Sequence, residues 1–202
     1  KVIATVDGVA QQIFGWDTPS DGNAYREFLY ALIPAMLDFL KAKNGADKRC
    51  FFHISDEPNE AHLEQYRKVS TMIAPLVEGY PVIDALSHYS FYEQGIVKKP
   101  IPSTYRIEPF LENQVSNLWC YHCGESQYIS NRFFSMPSAR TRILGIQLYK
   151  FQIEGFLHWG YNFYNNQFSY HTVNPFLCSD GEFFSASGNT YSVYPGTAGQ
   201  PW

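Results

Sequence analysis

Apolar and polar positions follow two alternating patterns along the chain. Short apolar runs, most of them ended by Gly, Pro or acidic residues, predict strands. These runs cover residues 13–16, 49–55, 81–87, 118–123, 156–162 and 190–194. Between the runs, apolar residues recur every three or four positions, which predicts helices. The helical stretches cover residues 23–43, 58–78, 108–114 and 136–154.

The alternation of strands and helices indicates βαβ units and a parallel sheet. A closed (β/α)8 barrel has eight such units and typically about 250 residues. The 202 residues of this chain contain six predicted strands. We therefore predict one domain over residues 1–202, an incomplete (β/α)8 TIM-type barrel that lacks the first two strands and the last helix. An open parallel sheet is the alternative, but the Gly-rich phosphate turns common in nucleotide-binding sheets are absent from the sequence.

An incomplete barrel has an unpaired edge, which we expect beside residues 13–16. Exposed strand edges pair readily with other chains. We therefore expect more of the chain, or a partner, to supply the missing strands.

Composition narrows the function classes. Charged residues make up 17% of the chain and aromatic residues another 17%, which argues against disorder. The net charge is -4 and Lys and Arg form no stripe, so we expect no nucleic-acid partner. No apolar run approaches the roughly 18 residues of a membrane span. No signal peptide opens the chain, but the chain does not begin with Met, so the compartment stays open.

The sharpest chemical feature is the acidic pair Asp56–Glu57, which directly follows the run 49–55 and precedes Pro58. In parallel βα folds, active residues lie at the carboxyl ends of strands. Paired carboxylates, one protonated and one ionised, are what glycoside hydrolysis requires. Pro58 favours an extended backbone at Glu57. The alternative interpretation is a helix start, where acidic residues are favourable.

Four histidines also fall near the ends of consecutive predicted strands. They are His53, His88, His122 and His158. Histidines at barrel strand ends can hold zinc, and hydrogen bonding to substrate or core packing are the alternatives. Metal hydrolases of this fold usually have two ligands close in sequence, such as H-x-H, and none is present. We therefore expect no metal and no other cofactor.

Four motifs together carry a resemblance to a known family. They are FFHISDEP at 51–58, LWCYHCG at 118–124, GFLHWGYN at 155–162 and TYSVYPG at 190–196. In this order and spacing they resemble the catalytic barrel of glycoside hydrolase family 123 and its wider uncharacterised relatives. The resemblance runs from about residue 13 to residue 196.

The resemblance implies an exo-acting β-N-acetylgalactosaminidase on a (β/α)8 barrel that often follows a β-sandwich domain. It implies retention of anomeric configuration by substrate-assisted catalysis, without a protein nucleophile. Asp56 would orient the 2-acetamido group of the substrate, and Glu57 would act as acid and then as base. In the family the acidic pair follows the fourth barrel strand, which makes residues 13–16 the third strand and residues 190–194 the eighth. Asp84 and Glu108 are the remaining candidates for a separate nucleophile.

Further side chains become candidate sugar contacts under this resemblance. Tyr121 or Tyr161 would donate to the acetamido oxygen, and Trp119 and Trp159 would wall the pocket or stack on the sugar. Asn162, His53 and His158 are candidates for bonds to ring hydroxyls, with packing roles as the alternative. All of these strand ends would lie on the rim that carries Asp56 and Glu57.

Two other function classes stay open at this point. One is a noncatalytic carbohydrate-binding barrel that retains the aromatic residues. The other is a metal-dependent hydrolase that uses the strand-end histidines.

Overall fold

The computed structural model describes residues 2–124 and 132–196. The chain divides into two compact units, which are described separately. The first unit comprises Lys1–Asp84 and Ser90–Lys99, and the second comprises Ala85–Tyr89 and Pro100–Trp202. Each unit combines helices with short strands, so the fold class is α/β.

The first unit opens with an antiparallel hairpin of β1 (Val2–Val6) and β2 (Val9–Phe14). Asp7 and Gly8 form its two-residue turn, both with positive φ (50° and 79°), as hairpin turns of this length favour. The prediction of a parallel barrel strand at 13–16 is therefore wrong. Ile13 and Phe14 end β2 instead, because the Asp-Gly turn folds this segment back onto β1.

Helix α1 (Asn23–Ala42) confirms the helix predicted at 23–43. Its inner face buries Ile33 and Leu37 against Val77. Phe52 and Val82 are among the partly buried residues that pack on this cluster. The helix ends before Asn44 and Gly45, both in the left-handed region (φ 58° and 68°), a common way to end a helix.

The predicted strand at 49–55 is reduced to one parallel bridge, between Phe52 and Val82. The backbone N–H groups of Ile54 and Ser55 donate to a side chain rather than to a neighbouring strand, which explains why the ladder stops. Helix α2 (Leu63–Ile73) follows, with a 3-10 turn at each end. The short helix α3 (Ser90–Glu93) completes the helices described in this unit.

Strand β3 (Ile83–Ala85) lies within the predicted run 81–87 and pairs with β4 (Lys99–Ile101). The sequence pattern did not indicate β4. Prolines are the reason, because they argue against a strand. Pro100 lies inside β4 and Pro102 directly follows it.

The second unit contains the parallel pair β5 (Trp119–Tyr121) and β6 (Gly155–Leu157). A further parallel bridge joins Ser103 to Tyr121. Helices α4 (Glu108–Glu112) and α5 (Ala139–Lys150) lie within the stretches predicted as helical. The most deeply buried apolar residues of this unit include Leu86, Ile101, Phe110 and Cys120.

The predicted strand at 190–194 forms a single antiparallel bridge, between Tyr191 and Asn162. Across the described ranges, the strands make three two-stranded sheets, and these residues form no closed barrel. Among the described residues, the β5–β6 pair and the bridges Phe52–Val82 and Ser103–Tyr121 are parallel, as the βαβ pattern predicts. No helix in residues 2–124 or 132–196 combines the length and apolar character needed to cross a membrane.

Gly155 allows the Trp119 ring to lie directly on the backbone of β6, because a Cβ at this position would overlap the indole. Gly155→Ala is therefore expected to destabilise the chain by about 1–3 kcal/mol through overpacking. Gly145, on α5, faces open space, so Gly145→Ala is expected to stabilise the helix by about 0.5–1 kcal/mol. Urea unfolding followed by tryptophan fluorescence would measure both shifts. Equal midpoints for the two variants would contradict the close packing of Trp119 on Gly155.

Candidate active site

The carboxylate of Asp84, at β3, organises the candidate site in the first unit. Asp84 is fully buried. Its Oδ1 accepts hydrogen bonds from the backbone N–H of Ile54 at 2.8 Å and of Ser55 at 3.1 Å. The same oxygen lies 2.7 Å from Nδ1 of His53. The Tyr66 hydroxyl, from α2, donates to Oδ2. A buried carboxylate is costly unless it is paired and hydrogen-bonded, and here both oxygens have partners.

The acidic pair directly follows the backbone that Asp84 holds. Asp56 and Glu57 are both exposed, whereas Pro58 is buried. Glu57 has φ of 44°, so the extended conformation predicted from the following proline is wrong. A non-glycine residue in the left-handed region carries backbone strain, and such residues cluster at functional sites.

The helix after the acidic pair begins at Asn59, not at Asp56 or Glu57. Asn59 Oδ1 accepts from the Ala61 N–H at 3.0 Å, and the Asn59 N–H donates to Nδ1 of His62 at 3.2 Å. This reciprocal cap satisfies the first backbone donors of the 3-10 turn. The helix-start interpretation of the acidic pair is therefore wrong, because both carboxylates precede the cap.

A cavity opens beside the acidic pair. It is lined by Ser20, Ile54, Ser55, Asp56, His62, Gln65, Tyr66 and Val69. Gln65 Nε2 donates to Ser20 Oγ at 3.0 Å, which fixes one part of the wall. Asp56 thus lines a concave surface to which α2 and the turn before it contribute His62, Gln65 and Tyr66, and to which Ser20 and Ser55 add two hydroxyl groups.

His53 and Tyr66 respond electrostatically to Asp84. The hydrogen bond to Asp84 raises the pKa of His53 above its ordinary value; partial burial opposes this, and the charges of Asp84 and Asp56 reinforce it. Burial and the Asp84 charge raise the pKa of Tyr66 far above its ordinary value. Tyr66 therefore remains a neutral donor, and His53 is the side-chain partner of Asp84 whose protonated form the pair favours.

The second unit holds the candidates that follow β5. Trp119 is partly buried and lies against Gly155, while Tyr121 is buried. His122 is buried as well and meets Phe156 edge to face, with ring centroids 4.8 Å apart. Aromatic packing of this kind favours a structural role for His122.

The candidates that follow β6 form a separate cluster in the same unit. Trp159 packs on Phe163 and Phe184 at centroid distances of 5.4 and 5.6 Å, yet it stays partly exposed. Tyr161 is 62% exposed, and Asn162 is exposed too. Burial, and then the charge of Arg132, lower the pKa of His158.

The approach of the chain at residues 189–190 shapes this cluster. A Cβ on Gly160 would collide with the backbone carbonyls of Asn189 and Thr190. Ser192 N–H donates to the Tyr161 carbonyl at 2.8 Å and Phe163 N–H donates to the Thr190 carbonyl at 3.1 Å. These bonds fix the backbone on both sides of Asn162, directly after Tyr161.

The structure thus places the predicted residues in two local sets. His53, Asp56 and Glu57 lie together in the first unit, and Trp119, Tyr121, His158, Trp159, Tyr161 and Asn162 lie in the second. That all of them share one rim stays a prediction. Within the described ranges, no three His, Cys, Asp or Glu side chains are grouped to hold a metal ion.

Sequence reasoning did not assign Asp84 and Tyr66 to the site. In the sequence, Asp84 stands out only as a possible nucleophile, and Tyr66 is one of the regularly spaced positions of the helix predicted at residues 58–78. The signal for Asp84 was available: it is the one charged residue in the run Pro81–Ser87. A charge inside a buried strand requires a partner.

Comparison with known proteins shows which family the chain belongs to. A family profile described as the catalytic domain of glycoside hydrolase 123 matches residues 2–202. A family 123 glycoside hydrolase from Clostridium perfringens, analysed for the hydrolysis of glycolipid glycans, has a similar fold with a TM-score of 0.64 and 13% sequence identity. The match covers 91% of this chain and 32% of the other, so this chain spans about a third of that protein. No curated protein sequence matches the chain.

The described residues thus form an α/β fold in which an acidic pair follows the segment that Asp84 holds. The chain belongs to glycoside hydrolase family 123, since the match to the catalytic-domain profile extends over residues 2–202.

The His53–Asp84 pair predicts a pH-dependent stability. Folding raises the pKa of His53 above 6.5. The pair's contribution to the free energy of unfolding is therefore complete below pH 6.5 and is lost as the pH rises through the pKa that His53 has in the folded chain. The difference in free energy of unfolding between the unmodified chain and His53→Gln is expected to be larger near about pH 5 than near about pH 9. Urea unfolding at several pH values measures it. A difference that is constant with pH would contradict the pairing.

Proposed function

We propose that the chain is the catalytic part of an exo-acting, retaining β-N-acetylgalactosaminidase. The observation that carries the proposal is the position of Asp56 and Glu57. They are adjacent, exposed beside a cavity, and attached to a strand end that the buried Asp84 holds. A retaining enzyme with its own nucleophile needs two carboxyl groups about 5–5.5 Å apart on opposite sides of the scissile bond. Asp56 and Glu57 are adjacent in the chain, so they are better placed to contact the same side of the sugar.

The mechanism that suits this pair uses the substrate as nucleophile. The 2-acetamido oxygen bonds to the anomeric carbon while the bond to the aglycone oxygen breaks, and Glu57 gives its proton to that oxygen. Asp56 accepts the acetamido N–H and stabilises the positive charge of the oxazolinium ring. Glu57 then takes a proton from water as the water opens the ring, so the product keeps its configuration.

Asp84 is not the nucleophile in this proposal. Its carboxylate oxygens already accept hydrogen bonds from four groups, and it is fully buried. An attacking carboxylate needs an open approach to the anomeric carbon. Its burial therefore supports the acetamido group as the nucleophile.

The second unit supplies the proposed sugar contacts. Trp119 and Trp159 present aromatic faces on which the apolar side of a sugar ring can stack. Tyr161 is exposed and Tyr121 buried, so Tyr161 has the more accessible hydroxyl for the acetamido oxygen. Asn162, His158 and, from the first unit, His53 are proposed to bond ring hydroxyls.

We also propose that these segments belong to an incomplete (β/α)8 barrel, with further strands supplied by more chain or a partner. The parallel bridge at Phe52–Val82 and the parallel pair β5–β6 support this architecture. The similarity to a much longer family 123 structure supports it as well.

The first test is substrate choice. 4-Nitrophenyl β-glycosides of GalNAc, GlcNAc, Gal and Glc would be compared on the unmodified chain. We expect turnover of the GalNAc substrate and essentially none of the galactoside, because the galactoside lacks the acetamido nucleophile. Comparable rates on both would contradict substrate assistance. Binding of GalNAc without turnover of any substrate would instead favour a noncatalytic carbohydrate-binding domain.

The second test separates the roles of the two acids. Asp56→Asn is expected to lower kcat by about three orders of magnitude, since the anion that accepts the N–H is lost. Glu57→Gln should lose less on 4-nitrophenyl leaving groups than on alkyl aglycones, because a good leaving group needs little protonation. Asp38→Asn is the matched control, since Asp38 is an exposed carboxylate on α1 that pairs with Lys41. An equal loss by Glu57→Gln on both kinds of leaving group would refute its role as acid.

A further inference from the structure

We propose that a cavity in the second unit binds the sugar next to the GalNAc that is removed, and that this neighbouring sugar is a uronic acid whose carboxylate pairs with Arg132. The inference rests on the proposed function, because it names the next residue of the same carbohydrate substrate. The described residues that line this cavity differ from those that line the cavity beside Asp56.

The composition of the cavity wall suits a carbohydrate. The cavity has a volume of about 610 Å³, which is in the range of small-molecule sites. Its described lining combines four aromatic rings with the hydroxyl groups of Ser138, Thr141 and Ser192. Aromatic faces offer the apolar surface on which a sugar ring stacks, and hydroxyl groups can bond to those of the sugar.

The wall of the cavity is joined to the candidate sugar contacts that follow β6. The Ser192 N–H donates to the Tyr161 carbonyl at 2.8 Å, and Tyr191 pairs with Asn162 in an antiparallel bridge. Ser192 and Tyr191 therefore line the cavity and also hold the backbone at these contacts. A GalNAc held at Tyr161 and Asn162 has the cavity beside it, where the next sugar of the substrate can lie.

Arg132 gives the cavity a positive charge, and it is the one charged residue in the described lining. Its Nη2 donates to Ser192 Oγ at 2.7 Å, which fixes one end of the guanidinium at the cavity wall. Burial lowers the pKa of His158 most, and the Arg132 charge adds to this, so the cation also acts on the candidate contacts after β6. The planar fork of an arginine matches the two oxygens of a carboxylate.

Backbone packing holds Arg132 and Phe134 in place at the cavity. The Phe134 N–H donates to the Ser187 carbonyl at 2.9 Å. Gly188 has φ of 93°, and a Cβ there would overlap the Phe134 ring and the Arg132 carbonyl. Phe134 is nevertheless 63% exposed, so much of its ring is open to a ligand while its backbone is fixed. A site held in this way loses little conformational freedom on binding.

The class of sugar follows from the aromatic wall and the cation together. A neutral sugar can use the aromatic rings and hydroxyl groups but gains little from the charge of Arg132. A uronic acid has both a ring that can stack on Phe134 and a carboxylate that forms charge-assisted hydrogen bonds with Arg132. The substrate inferred here is therefore a β-GalNAc linked to a uronic acid.

The experiment measures binding in the absence of turnover. The probe is a carbon-linked GalNAc–glucuronic acid disaccharide, in which a methylene group replaces the bridging oxygen and prevents hydrolysis. It would be titrated into the full chain by calorimetry at neutral pH, beside its uncharged methyl ester and a sulfated neutral disaccharide. We expect the Kd of the acid to be about tenfold lower than that of the ester, because only the acid pairs with Arg132. Equal Kd values for acid and ester, no binding of either, or tighter binding of the sulfated disaccharide than of the acid would overturn the inference.

Three variants locate the preference for the acid. Arg132→Gln should remove the difference between acid and ester and leave binding of the ester unchanged. Arg132→Lys keeps the charge without the planar fork, so it should retain part of the difference, which separates loss of the pair from loss of the fold. Arg142→Gln is the matched control, since Arg142 is an exposed arginine on α5 outside the described lining of the cavity. An equal loss of preference in Arg142→Gln, or a full preference in Arg132→Gln, would overturn the inference.

The proposed function and this inference fail separately. If the full chain hydrolyses none of the 4-nitrophenyl glycosides, the proposed function fails, and the titration still tests the cavity. If the chain hydrolyses the GalNAc substrate but binds acid and ester equally, the inference fails and the proposed function stands.

Discussion

A single buried carboxylate sets the geometry of the first unit around the candidate site. Asp84 joins the segment at residues 53–55, strand β3 and helix α2 through hydrogen bonds to groups from each. Without these donors, the buried Asp84 carboxylate would bear the full cost of desolvation. The segment that it holds leads directly into the acidic pair, where the left-handed Glu57 and the cavity lined by Asp56 are found.

The same constraint explains why the pairing at Phe52 and Val82 stays a single bridge. A backbone N–H that donates to a side chain cannot also continue a ladder, so the segment at residues 53–55 leaves the sheet at the point where chemistry begins. In the second unit, backbone contacts rather than a buried side chain hold the segment that follows the strand. There Gly160 brings the chain after β6 against the carbonyls of Asn189 and Thr190. Backbone hydrogen bonds then hold the chain on both sides of Asn162, directly after Tyr161.

The pattern of apolar residues was sufficient to predict the helices α1 and α2, through their regular spacing, and the strands β3, β5 and β6, through short apolar runs. It failed where tertiary contacts or turn chemistry override spacing. The Asp7–Gly8 turn converts residues 13–16 from a parallel strand into half of a hairpin. The left-handed Glu57 overrides the influence of Pro58. The acidic pair is a candidate that the sequence alone offers, and the lone charge of Asp84 in an apolar run indicates that this residue needs a partner. The identity of its partners could not be predicted, since they lie some thirty positions away in the chain.

The bridge between Asn162 and Tyr191 also has a consequence for how this domain can diversify. The bridge joins the two ends of the segment 163–190. The chain therefore leaves the bridge after Asn162 and returns to it at Tyr191. The entropic cost of closing such a loop grows only slowly with its length. Insertions or deletions within it can therefore be accommodated while Tyr161 and Asn162 stay where they are. In this way, the bridge separates changes in the length of this segment from the placement of the residues that the bridge holds.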